Sequence, residues 1–245
     1  MFVRGVSKDL INYLKSINVI IYKIHEKYKN ITTINLRWKM YIDYLNNNKQ
    51  KYKLILQTDV RDVIFQKDIF EYYENHEPFL AVSLEDSTLH HKFNKKWVIQ
   101  YAGEEKYNII QNERIICVGT IWGTYKKFLQ FSEIFWNKLN SNPQCIEQGI
   151  GNYMFYYEKL FKECLLRIDN YGQVMAIGLT KREKIKLDPD NNILNFKGEI
   201  ASIIHQYDRK LDIFNMVIEK FCPEILYFSK HEKKNHIPNL INKNN

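Results

Sequence analysis

An α/β domain, built on a mostly parallel sheet covered by helices, is the fold class this sequence predicts. Short apolar, β-rich runs alternate with segments of helical period from end to end. The hydrophobic fraction is 45% and the charged fraction 26%, a globular balance that excludes disorder. Nowhere do about 18 apolar residues run together, so no transmembrane segment is expected. At 245 residues, one domain over residues 1–227 buries roughly 70% or more of its unfolded surface and needs no staple.

The elements follow in order. Phe2-Val3 closes a brief first strand, and Ser7 is placed to cap a helix over residues 8–17. Residues 18–24 (NVIIYKI) read as a strand. Residues 36–45 carry aromatic and aliphatic side chains at helical spacing, and Asn46-Asn47-Asn48 stops that helix. Residues 52–57 (YKLILQ) form a buried strand ending at Thr58-Asp59. Residues 78–84 (PFLAVSL) and 114–121 (RIICVGTI) are further strands, and the second leads into a helix over residues 125–139. Gly103 through Glu105 reads as a solvated loop, and Pro143 marks another. Residues 148–166 have the spacing of one long amphipathic helix, and residues 174–177 and 201–204 are short late strands. Residues 228–245 form a polar, basic tail.

Thirty-six Lys and Arg against 28 Asp and Glu leave a formal charge of +8. That charge is spread, with no basic block before Lys230-His231-Glu232-Lys233-Lys234 in the tail, so no nucleic-acid partner is expected. Cys117, Cys145, Cys164 and Cys222 form no C-x-x-C pair. They read as reduced core thiols and, with no signal-peptide run at the start, place the chain in the cytoplasm. There is no G-x-x-x-x-G-K-[ST], no G-x-G-x-x-G after the first strand and no G-x-S-x-G. These absences disfavour a P-loop, a dinucleotide fingerprint and a nucleophile elbow.

In open α/β sheets ligands sit beyond the carboxyl ends of the strands. Three such positions carry chemistry: Asp59 with Asp62, Glu147 with Gln148 at a helix start, and His205. Two carboxylates emerging from a buried strand repel each other unless a cation or protons compensate. A hard divalent ion with oxygen ligands is one solution; a turn in which Asp62 caps a helix and Arg61 pairs with Asp59 is the other. His205 closes the run over residues 201–204, and imidazole suits Mn²⁺ and not Ca²⁺. A hydrogen-bonded polar cap is its plainer reading.

The order of these residues resembles a known family. Thr58-Asp59-Val60-Arg61-Asp62, then Ile116-Cys117-Val118-Gly119, then Glu147-Gln148 with Asn152, then His205 before Arg209-Lys210 form an ordered series over residues 35–212. It is similar to that of metal-dependent nucleotide-sugar glycosyltransferases of the GT-A (Rossmann-like) fold, especially the glycogenin-like and lipopolysaccharide galactosyltransferase-like retaining enzymes. Their series reads D-x-D, F-N-x-G, D-Q-x-x-x-N and a late His with a nearby Lys. The resemblance implies a mixed, mostly parallel sheet with helices on both faces. It implies Mn²⁺ or Mg²⁺ held by Asp59, Asp62 and His205, and a UDP-sugar donor contacted by Arg4, Arg37, Thr58, Asp59, Val60, Arg209 and Lys210. Gly119 and Asn152 would shape the sugar pocket, with Glu147 and Gln148 beside the reacting sugar as the catalytic pair. The acceptor would be a glycan, glycolipid or protein hydroxyl.

The chain departs from that pattern. Two residues separate its aspartates in place of one, Cys117 stands where the pattern has Asn, and Glu147 replaces Asp. Two other classes stay open: a GT-A-like domain that binds nucleotide and metal without turnover, and a nucleotidyltransferase. The latter wants a Gly-rich basic loop after the first strand, where this chain offers only Arg4 and Gly5. His90-His91 reads as a surface pair, and the aromatics are mostly core, with Trp97, Tyr101 and Trp122 placed beside loops where sugar rings could stack.

Overall fold

The computed structural model describes residues 1–3, 5–28, 31–49, 51–76 and 78–221. Arg4, Cys222 and the tail over residues 228–245 therefore lie outside the described residues. Strand β1 (Phe2–Val3) lies parallel to β2 (Tyr22–Lys23). Between them runs α1 (Lys8–Ser16), where the Ser7 hydroxyl accepts from Leu10 N–H as a cap should. Within the β-rich run at 18–24 the strand is Tyr22–Lys23, with Ile24 N–H adding a bond to Val3 O at 3.0 Å, while Asn18, left-handed at φ 60°, belongs to the turn after α1.

Helix α2 (Thr33–Asn47) leads into β3 (Leu54–Thr58), and residues 59–62 connect β3 to β4 (Val63–Phe65). After α3 (Phe70–Tyr73) come β5 (Leu80–Thr88), α4 (Lys92–Ala102) and α5 (Glu104–Ile110). The expected loop at residues 103–105 is instead a helix junction, with Gly103 at φ 84° breaking α4 from α5. Strand β6 (Arg114–Thr124) and α6 (Tyr125–Ser141) follow, then α7 (Glu147–Tyr156).

The long helix expected over residues 148–166 is cut at Tyr156. Lys159 and Phe161 adopt positive φ, and the apolar residues beyond them form strand β7 (Leu165–Ile168). The chain closes with β8 (Val174–Ala176), the hairpin β9 (Lys186–Leu187) and β10 (Ile193–Leu194), β11 (Ile203–His205) and α8 (Leu211–Phe221).

The main sheet is mixed, in the order β3, β6, β5, β8, β11, β4, with β7 also on β5. β5 is parallel to β7 and β8, and β8 to β11, whereas β6 runs against β3 and β5, and β4 against β11. Strand alternation sorts the core. Leu80, Val82 and Leu84 pack under α2, α4, α5, α6 and α7, while Phe79 and Ala81 face the opposite side with Trp122 and the short α3. Trp122 is thus core beside Tyr73, at 5.7 Å between rings, and not a sugar platform.

One geometric constraint shapes this sheet. Six strands laid flat would separate β3 from β4 by about 24 Å. The chain from Thr58 to Val63 can reach no more than about 18 Å. The sheet therefore curls, and the only pairing between β5 and β8 is Glu85 opposite Ala176. Curling brings the carboxyl ends of β3 and β11, the amino end of β4 and the first half of β6 together.

Before β6 meets β3 at Thr120, its main chain over residues 116–118 needs other partners. Helix α7 supplies them. Asn152 Oδ1 accepts from Ile116 N–H at 2.8 Å and its Nδ2 donates to Ile116 O at 2.9 Å. Gln148 Oε1 accepts from Val118 N–H at 2.9 Å and its Nε2 donates to Ile116 O at 2.7 Å. Asn152→Ala leaves a buried N–H unpaired; we expect a loss of about 1–3 kcal/mol, read as a lower urea midpoint at unchanged slope.

Candidate metal and anion site

Asp59 and Asp62 flank the turn at the carboxyl end of β3, and His205 ends β11. Asp59 N–H donates to Gly119 O at 2.8 Å, which holds the turn against β6. Gln206, left-handed at φ 63°, donates its N–H to Asp62 O at 2.7 Å and ties the other end of the turn to β11. Gly119 is required here: a Cβ would lie 2.4 Å from His205 Cε1 and 2.6 Å from Asp59 Oδ2.

His205 is buried, as is Asp62. Its Nε2 faces Asp59 Oδ2 at 3.3 Å and Asp62 Oδ1 at 3.7 Å, yet has no hydrogen bond. Its Nδ1 sits 3.1 Å from Thr120 Oγ1 and 3.3 Å from Cys117 Sγ. If Nδ1 carries the proton, Nε2 aims a lone pair at two carboxylates; only a cation or a second proton relieves that. One ligand atom from each of the three residues falls within 4.8 Å of the others. An oxygen, oxygen and imidazole set of this kind fits Mn²⁺ or Mg²⁺.

The alternative pairing of Asp59 with Arg61 is not formed. Arg61 reaches Asp208 at 2.9 Å and Asp62 at 3.9 Å. Asp59 instead receives Arg37 from α2, Nη1 to Oδ1 at 2.5 Å. Arg37 also grips Glu147 at the start of α7, donating from Nε to Oε2 at 3.2 Å and from Nη2 to Oε1. Trp38 Nε1–H donates to Glu147 Oε2 at 2.6 Å. Burial pushes the Glu147 carboxyl up, opposed by Arg37 and Trp38. Burial also works against the Arg37 charge, but the Glu147 and Asp59 carboxylates outweigh it and hold the guanidinium charged.

The remaining expected residues spread around this cluster. Thr58 pairs with Thr120 in the sheet, and Val60 is exposed. Arg209 lies 4.0 Å from Asp62 and 3.3 Å from Asp208. Lys210 Nζ donates to Gly178 O at 2.9 Å, away from the carboxylates. Gln148 and Asn152 spend their amides on β6 and so brace the site from behind. Glu85 was missed: a buried carboxyl, pushed up by burial against the pull of His205 and Arg209, with Gln206 and Cys117 as neighbours. An acid directly after the apolar run PFLAVSL was its signal, although the strand continues beyond it to Thr88.

A cavity of about 320 Å³ lies between the β1 and β2 pair, α2 and β3, with Phe2, Tyr22, Tyr41, Tyr44 and Tyr52 in its walls. Cys117, Cys145 and Cys164 are free thiols. Among the described residues no helix is long and apolar enough to cross a membrane.

No family model matches the sequence, and no curated protein matches it. The chain is similar to solved structures, two of which follow. One is a glycosyltransferase involved in the glycosylation of the major capsid of PBCV-1, at 14% identity and a TM-score of 0.44, covering 84% of this chain and 88% of that one. The other is the galactosyltransferase LgtC in complex with donor and acceptor sugar analogs, at 13% identity and a TM-score of 0.43, covering 77% of this chain and 66% of that one. Identities this low do not carry either protein's activity onto this chain.

Titration of His205 tests the geometry. Burial pulls the imidazolium down, while the Cys117 sulfur and the Asp59 and Asp62 carboxylates pull it up and win, leaving it well above the ordinary 6.5. Burial pushes the Cys117 thiol up, so it is neutral near pH 7 and the carboxylates carry the effect. A raised folded midpoint adds stability that is full below pH about 6.5 and is lost as pH climbs through that midpoint. In metal-free protein we expect the His205 ring signals, followed by NMR, to titrate above the ordinary range, and Asp59→Asn to lower the midpoint.

Proposed function

We propose that this chain is a metal-dependent glycosyltransferase that moves a sugar from a nucleoside diphosphate, UDP for preference, to an acceptor hydroxyl with retention. The observation that carries this reading is the meeting of Asp59, Asp62 and His205 with Arg37 and Arg209 where strand ends converge. Three ligands for a divalent cation lie beside two guanidinium groups, a combination that suits a diphosphate. The low-identity structural neighbours do not bear this weight.

The difficult step is loss of the diphosphate from an oxocarbenium-like centre. Asp59, Asp62 and His205 would hold a Mn²⁺ or Mg²⁺ ion, which supplies positive charge to the leaving group. Arg37 is preorganised by Glu147 and Asp59, and Arg209 by Asp208, so both present fixed charge to the phosphates. Glu147 has both oxygens engaged and is poorly placed to take the acceptor's proton. That favours same-face attack: the acceptor oxygen bonds to the anomeric carbon as the phosphate C–O bond breaks, and its proton passes to the departing phosphate oxygen. The requirement for a general base inside the protein then falls away.

One observation favours a second reading, nucleotide binding without turnover. Gln148 and Asn152 are committed to the β6 main chain, which leaves the sugar face thin in free polar groups.

Calorimetric titration of UDP with Mn²⁺, and again with EDTA, tests the donor site. We expect Mn²⁺-dependent binding weakened at least tenfold by Asp62→Ala and by His205→Ala, a loss of about 1.4 kcal/mol or more. Binding indifferent to EDTA overturns the metal. Binding without UDP release from any UDP-sugar in the presence of acceptors selects the second reading.

A further inference from the structure

We infer that Trp38 is a positioning residue of this site: its indole N–H sets Glu147, and Glu147 sets Arg37 toward an anionic ligand. This rests on the donor-site reading above. Glu147 accepts from Trp38 and Arg37 at Oε2 and from Arg37 at Oε1, so its carboxylate is clamped on both oxygens. The two-point contact fixes the guanidinium plane. A third contact runs from Nη1 to Asp59. Three of the five N–H groups are then spent, and one on each terminal nitrogen remains for a ligand.

Trp38 is suited to act as the reference point because its ring is packed on every side. It is fully buried, with Tyr41, Phe131 and Phe135 edge-on at 5.6, 5.4 and 4.8 Å between rings. Without its N–H the buried Glu147 keeps only Arg37, and the pair can pivot together. The same clamp makes Glu147 an anchor for Arg37 in place of a group that touches the sugar. The extra methylene of Glu over Asp supplies the reach.

Trp38→Phe keeps the ring and removes the N–H. With Mn²⁺ present, we expect it to weaken UDP binding about tenfold, the scale of one hydrogen bond to a charged group. In an Arg37→Lys background the same change should cost less than about twofold, because the effect acts through Arg37. Phe79→Leu, a core change on the opposite face of the sheet from Trp38, should leave UDP affinity unchanged. Equal losses in both backgrounds, wild-type affinity in Trp38→Phe, or a matching loss in Phe79→Leu would each overturn the proposal. NMR supplies an arm that needs no nucleotide: Glu147→Gln should shift the Trp38 indole N–H signal, and Trp38→Phe should broaden the Arg37 Nε–H signal. If the wild type binds no UDP, the donor reading falls, and these signals alone decide: shifted and broadened they uphold the positioning chain, unchanged they end it.

Discussion

The arrangement of the site depends on one short piece of chain. Residues 59–62 join the two outer strands of the main sheet, and flat strands could not be spanned by so few residues. The curl this forces puts the end of β3 against the end of β11. Asp59 and Asp62 are then both delivered to Nε2 of the His205 imidazole, with Gly119 as the floor that no side chain can share. Backbone bonds from Asp59 to Gly119 and from Gln206 to Asp62 lock the turn at both ends.

Electrostatics then follows from position. A buried imidazole between two carboxylates is tolerable only with added positive charge, and the fold provides room for it at Nε2. On the other side of Asp59 the positive charge is already built in: Arg37 balances Asp59 and the buried Glu147 at once. Burial raises the Asp59 carboxyl, but His205 and Arg37 outweigh it and bring it down to about 2. Asp59 therefore stays ionised across the working pH range, ready for a cation.

The parts of this molecule that could be read from its sequence are those governed by apolar period and by strand ends. The runs that became β3, β5, β6 and β8, and the helices α1, α2 and α6, announced themselves in that way. So did Asp59, Asp62 and His205; Arg37, inside α2, was marked by the family resemblance alone, and the structure brings all four together. Other features had no local signature. Lys159 and Phe161 turn left-handed without being glycine, so the end of α7 was invisible, and β7 with it. Strand β4, three residues long, exists through its pairing with β11. Whether an amide points at a ligand or at a neighbouring strand is equally unwritten, and Gln148 and Asn152 chose the strand. Trp38 was hidden for a geometric reason: adjacent residues on a helix diverge, yet the long side chains of Arg37 and Trp38 converge again on Glu147.

The N-terminal strand pair has a consequence outside the site. Among the described residues β3 is one of the two outer strands of the main sheet, and Leu54, Ile55 and Leu56 line its cavity side. Open edges with apolar flanks recruit other chains into intermolecular sheets. Here Phe2 and Tyr22 stand across the cavity from that edge, so the β1 and β2 pair shields its apolar residues and leaves a space of about 320 Å³ in place of a strand partner.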